Sequence, residues 1–124
     1  MIRPDLRRFS EMINQKQSDE IIVFDAPYAV SSGEGALVGS MFGVAVTTLG
    51  NGVTGSFVTR GVFELKKVGS QAWTVGALIY WDNTNKYCTT TSSGNKLIGV
   101  ATEAIGSGAG TVKGIVRLNG SFIS

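Results

Sequence analysis

Ala77-Leu78-Ile79-Tyr80-Trp81-Asp82-Asn83-Thr84-Asn85-Lys86-Tyr87-Cys88-Thr89-Thr90-Thr91 is a strand, a turn and a second strand. Aromatic and β-branched residues crowd both ends, as a pleated surface favours. Between them, Asp82 to Asn85 is short and polar, and its side chains can close a turn on their own backbone. On the first strand Ala77, Ile79 and Trp81 face one side, with Leu78 and Tyr80 on the other. Both faces carry bulk, so the strand is expected to be covered on both sides, by its own core or by a neighbouring copy. Ile79, Tyr80 and Trp81 are therefore the candidate self-contact residues.

The same rhythm extends outward in both directions from this hairpin. Strands are expected at about residues 20–25, 35–39, 41–48, 53–59, 61–66, 77–81, 86–91, 96–103 and 111–118, with Gly, Asn and Ser between them. Asn51-Gly52 and Asn119-Gly120 supply turn residues that tolerate positive φ. Glycine is enriched, 17 of 124 residues, while proline appears only twice, and β-branched and aromatic residues make up about a third of the chain. This composition excludes a helical bundle, a collagen-like repeat and a disordered tail. The fold class is all-β, and residues 21–124 read as a single domain with no internal repeat.

Residues 1–20 differ from the rest. They hold eight charges, among them Arg3, Arg7, Arg8 and Lys16, and no glycine. Pro4 suits a first helical turn, and Leu6, Phe9, Met12 and Ile13 keep helical spacing, so a short helix over about residues 4–14 is expected. Two or three turns alone are marginal in water. The segment either packs on its own domain or is an arm that orders on a partner.

Charge and composition narrow the function. The net charge is +2, and no stretch carries the dense Lys/Arg run that a row of phosphates requires, so nucleic acid is not an expected partner. With no histidine, the commonest general base and metal ligand is missing. The single cysteine, Cys88, cannot form an internal disulfide, which points to a reducing cytoplasm. Its place in a strand reads as an inert buried thiol. No apolar run resembles a signal peptide or reaches membrane-spanning length, so no membrane association is expected.

Motifs for chemistry fail on context. Gly33-Glu34-Gly35-Ala36-Leu37-Val38-Gly39-Ser40 has the glycines of a phosphate cradle, but β-prone residues follow where a helix should open. Beyond residue 25 the carboxylates are Glu34, Glu64, Asp82 and Glu103, dispersed along the chain and read as solvated charges. Neither a metal cluster nor a nucleophile with a neighbouring base is apparent, so no cofactor is expected and the chain does not read as an enzyme. Trp73, Tyr80 and Trp81 allow one alternative, a cellular β module that holds a glycan or peptide by stacking; core or subunit contact is the competing reading.

Several patches together resemble the small capsid cement, or head decoration, proteins of tailed phages. They run from Ala26-Pro27-Tyr28-Ala29-Val30-Ser31-Ser32-Gly33-Glu34-Gly35-Ala36-Leu37-Val38-Gly39-Ser40-Met41-Phe42-Gly43-Val44-Ala45 through Thr59-Arg60-Gly61-Val62-Phe63-Glu64-Leu65-Lys66-Lys67 and Val75-Gly76-Ala77-Leu78-Ile79-Tyr80-Trp81-Asp82. They end with Leu97-Ile98-Gly99-Val100-Ala101 and Val116-Arg117-Leu118-Asn119-Gly120. A recombinase-like label sometimes given to such proteins finds no P-loop here. The resemblance implies a small barrel or tulip-like β domain, with a jelly roll as the alternative. It implies a structural virion protein, made in the bacterial cytoplasm, that sits on the outer capsid surface and clamps neighbouring major capsid subunits. By analogy with other decoration proteins, a homotrimer is expected before a dimer. Residues 1–20 exceed the length the resemblance leads one to expect before the first strand, which makes Arg3, Arg7, Arg8 and Phe9 the candidate capsid contacts.

Overall fold

A computed structural model describes residues 20–120 as nine strands with no helix among them. They are β1 (Ile21–Asp25), β2 (Gly35–Val38), β3 (Met41–Ala45), β4 (Thr54–Val58), β5 (Arg60–Lys66), β6 (Leu78–Asp82), β7 (Tyr87–Thr89), β8 (Lys96–Ala101) and β9 (Lys113–Asn119). All nine expected strands are present, several shorter at their ends than the alternation of residue types had indicated. The expected N-terminal helix or arm lies outside the described residues.

The strands form two antiparallel sheets. The first has the order β1-β4-β3-β2, and the second the order β5-β9-β8-β6-β7. The second curls into a half-barrel until Lys67, just past β5, meets Cys88 of β7 in a parallel bridge, with Val68 N–H donating to Cys88 O at 3.0 Å. This curl matches the barrel or tulip expectation. The β6–β7 turn closes as the sequence indicated: Asp82 Oδ1 accepts from the backbone N–H groups of Thr84 and Asn85 at 2.9 and 3.0 Å. A hydrogen bond from the Asn85 side chain at 2.9 Å, followed by these backbone contacts, holds the Asp82 carboxyl below its ordinary pKa.

Two clusters of buried side chains hold the sheets. The larger fills the half-barrel with Leu65, Trp73, Ile79, Trp81, Ile98, Val116 and Leu118, and takes Phe42 and Val44 from the first sheet. Phe42 and Trp81 meet with ring centroids 5.0 Å apart, joining the two sheets. The smaller lies on the opposite face of the first sheet, where Phe57 and Ala45 are covered by Ala26, Val30 and Leu49 from the loops. Phe24 stacks on Phe57 at 4.0 Å. Gly114 is required by packing: a Cβ there would lie 2.3 Å from the Trp73 ring.

Trp73 is 2 % exposed, Trp81 3 % and Ile79 0 %. Ile79 and Trp81 thus belong to the chain's own core. The chain's own core covers one face of β6 only: Leu78, on the other face, is 51 % exposed and Tyr80 is half-buried. Of the three candidate self-contact residues, only Tyr80 retains surface for a second copy, because the curl of the sheet turns the Ile79 and Trp81 side inward.

Candidate functional site

The geometry presents surfaces more than an enclosed site. Along β5, Arg60, Val62, Glu64 and Lys66 alternate outward while Phe63 and Leu65 turn to the core. The β5–β9 register sets Arg60 opposite Asn119, Val62 opposite Arg117, Glu64 opposite Ile115 and Lys66 opposite Lys113. Four cations and one carboxylate therefore share the outer face of this two-stranded ribbon. Lys66 and Lys113 are directly opposed, an arrangement that is unfavourable without an anion nearby. From Val62, which is 55 % exposed, a row continues through Arg117 and Val100 to Leu78 across β9, β8 and β6. The sequence reading found no basic run because these cations stand some fifty positions apart in two strands. The only local signal is their alternation at even spacings.

A cleft of about 370 Å³ opens beside this ribbon, between the first sheet and β5. Glu64, Lys66 and Lys113 line one side; Tyr28, Glu34 and Lys86 come from the other. Lys86 Nζ lies 4.4 Å from the centroid of the Tyr28 ring and donates to Asn83 O. Tyr28 donates its hydroxyl hydrogen to Gly35 O at 2.9 Å. Burial pushes its pKa up to about 12, partly offset by a hydrogen bond from the Leu37 backbone.

Two buried groups lie deeper. Cys88 is inaccessible, and burial pushes its thiol up to about 12, so it is the inert thiol the sequence indicated. Lys67 is 1 % exposed and was not anticipated. Its ammonium donates to Val68 O at 2.7 Å and Thr111 O at 3.2 Å and stands 5.7 Å from the Trp73 ring centroid. Burial lowers its pKa.

The structure also locates the remaining sequence candidates. Gly33 and Gly39 have φ of +88° and +59° and flank β2, so the glycine-rich stretch is a set of turns with no helix after it. Glu34 caps its own turn by accepting from Ser31 N–H at 2.9 Å. Among the described residues no group of three or more His, Cys, Asp or Glu could hold a metal ion, and no helix is long and apolar enough to cross a membrane. Trp73 and Trp81 both lie in the core, and Trp81 reaches only the wall of the cleft. Arg3, Arg7, Arg8 and Phe9 lie outside the described residues.

These features define a small β-rich protein whose described surface is made of sheet faces and edges. The chain belongs to the phage cement protein family, whose model matches residues 16–118. Its role is accordingly a structural one in a bacteriophage capsid. No curated protein and no solved structure matches it.

Proposed function

We propose that this chain binds the outer surface of a tailed-phage capsid and clamps neighbouring major capsid subunits, stabilising the expanded shell without catalysis. Family membership over residues 16–118 carries the reading. The exposed basic ribbon, flanked by the exposed apolar side chains of Val62 and Leu78, supports it, since a rigid sheet face can meet a subunit surface without prior ordering. Each contact can be weak, because a copy that bridges two subunits of a closed lattice gains from effective concentration.

Residues 1–20 act in this scheme as an arm appended to the single domain of residues 21–124, with Arg3, Arg7, Arg8 and Phe9 as shell anchors. The protein is made in the host cytoplasm, carried on the virion surface and active as a homotrimer, with Tyr80 at the contact between copies. Quantitative mass spectrometry of purified particles tests the central reading. A fixed simple ratio to the major capsid protein is expected, and absence from particles would return the function to ligand binding. Deleting residues 1–16 should leave a folded domain that no longer decorates shells. Light scattering should give the mass of a trimer.

A further inference from the structure

β5 is an outermost strand, and the register identifies which of its backbone groups face away from β9. Lys67 N–H donates to Val112 O, so Leu65, Phe63 and Gly61, at steps of two, also turn their N–H and C=O toward β9. Thr102 N–H donates to Ile115 O, so Ile115 turns to β8 and the flanking Gly114 and Val116 turn to β5, which gives the same parity from the other side. Val62 and Glu64 consequently point their N–H and C=O outward. Closure on β7 is reached only past Lys66, and among the described residues no backbone hydrogen bond meets Val62 or Glu64 on that edge.

An open edge is normally blocked, because it templates pairing with another chain. The edge of β2 shows such a block: the Tyr28 hydroxyl sits on Gly35 O and also meets the Leu37 backbone. Around β5 the side chains do the opposite. Val62 is apolar and exposed, and Arg60, Lys66, Lys113 and Arg117 outnumber Glu64 on the same face.

We propose that β5 receives an extended segment of a major capsid subunit as an added strand, and that this segment carries carboxylates on the positions flanking the basic ribbon. The proposal rests on the cement reading above and names the surface and the chemistry of the partner. Only a peptide backbone supplies the alternating donors and acceptors that Val62 and Glu64 can pair. Charge sets its character, since the opposed Lys66 and Lys113 are relieved by an anionic neighbour. The arm of a second copy fits less well: residues 1–19 hold Arg3, Arg7, Arg8 and Lys16 against Asp5, Glu11 and Asp19, a net positive charge on a positive face.

The test compares wild type with Val62→Pro on expanded shells of the phage's own major capsid protein. Proline removes an outward N–H and no bond to β9, a position at which an edge strand accepts it. The variant should unfold cooperatively yet bind shells at least tenfold more weakly, and Lys66→Glu with Lys113→Glu should weaken binding further. Hydrogen exchange on the wild-type protein provides the second readout. The Val62 and Glu64 amides should exchange faster than those of Phe63 and Leu65 in solution and become protected on shells. Binding of Val62→Pro at wild-type strength, or no gain in protection at Val62 and Glu64, would overturn the added strand while leaving the cement reading intact. Wild-type protein that leaves shells bare would overturn both. Protection of the same amides by duplex DNA alone would overturn the peptide assignment.

Discussion

The two sheets solve the same problem differently. The five-stranded sheet curls until its ends meet at Lys67 and Cys88, and encloses most of the large apolar side chains. The four-stranded sheet stays open, uses one face to cap that half-barrel through Phe42 and Val44, and covers the other with its own loops. Their edges differ as well. On β2 a tyrosine hydroxyl takes the outward carbonyl of Gly35, whereas on β5 no backbone hydrogen bond from the described residues meets the outward groups of Val62 and Glu64. Closure by curling satisfies an edge only where the ends meet, which among the described residues is at Lys67 and Val68, past the end of β5.

Breaking the curled sheet should cost most. Trp73→Ala removes the ring that lies on Gly114 and should destabilise the protein by about 3–5 kcal/mol in urea unfolding. A loss under about 1 kcal/mol would mean that the half-barrel tolerates an empty end and that the contrast between the sheets is overdrawn. Unblocking β2 should cost less. Tyr28→Phe deprives Gly35 O of its donor, for an expected loss of about 1 kcal/mol and faster amide exchange at Leu37. Unchanged exchange would show that the hydroxyl does not guard that edge.

Smaller effects probe the seam where β5 meets β7. Burial lowers the pKa of Lys67 from 10.5 in the folded state, so at alkaline pH the unfolded chain holds the extra proton. Stability should therefore rise with pH from the folded-state pKa up to about 10.5, then level off. Urea titrations near neutrality and near pH 10 should reveal this gain in wild type and not in Lys67→Met; equal pH slopes would remove Lys67 from the account. Cys88 should not react with an aromatic disulfide reagent in native protein and should react fully once unfolded, because its thiol is buried and pushed up to about 12. Rapid native labelling would mean that the seam opens readily.

Much of this fold is legible in the sequence. The strand positions were legible because alternation and turn chemistry are local: Asp82 closes its turn with residues two and three positions on, and Gly52 and Gly120 adopt the positive φ expected of them. The inert character of Cys88 followed from its place among strand residues. That Ile79 and Trp81 lie in the chain's own core was not legible, since alternation separates two faces without saying which one is inside. The surface at β5 was missed because Arg60 and Lys66 are separated in the chain from Lys113 and Arg117, and no local pattern states that β5 lies beside β9.

By itself, the sequence determined an all-β chain of nine short strands and a buried thiol, which depend on neighbours within a few residues, and a family resemblance carried by several such local patches together. Strand order, the burial of Lys67, the blocked edge at Tyr28 and the gathering of four cations on the β5–β9 ribbon were decided only in the tertiary structure. These depend on which distant strands pair, and that choice follows from packing the whole core, with Trp73, Trp81 and Phe42 brought together across both sheets.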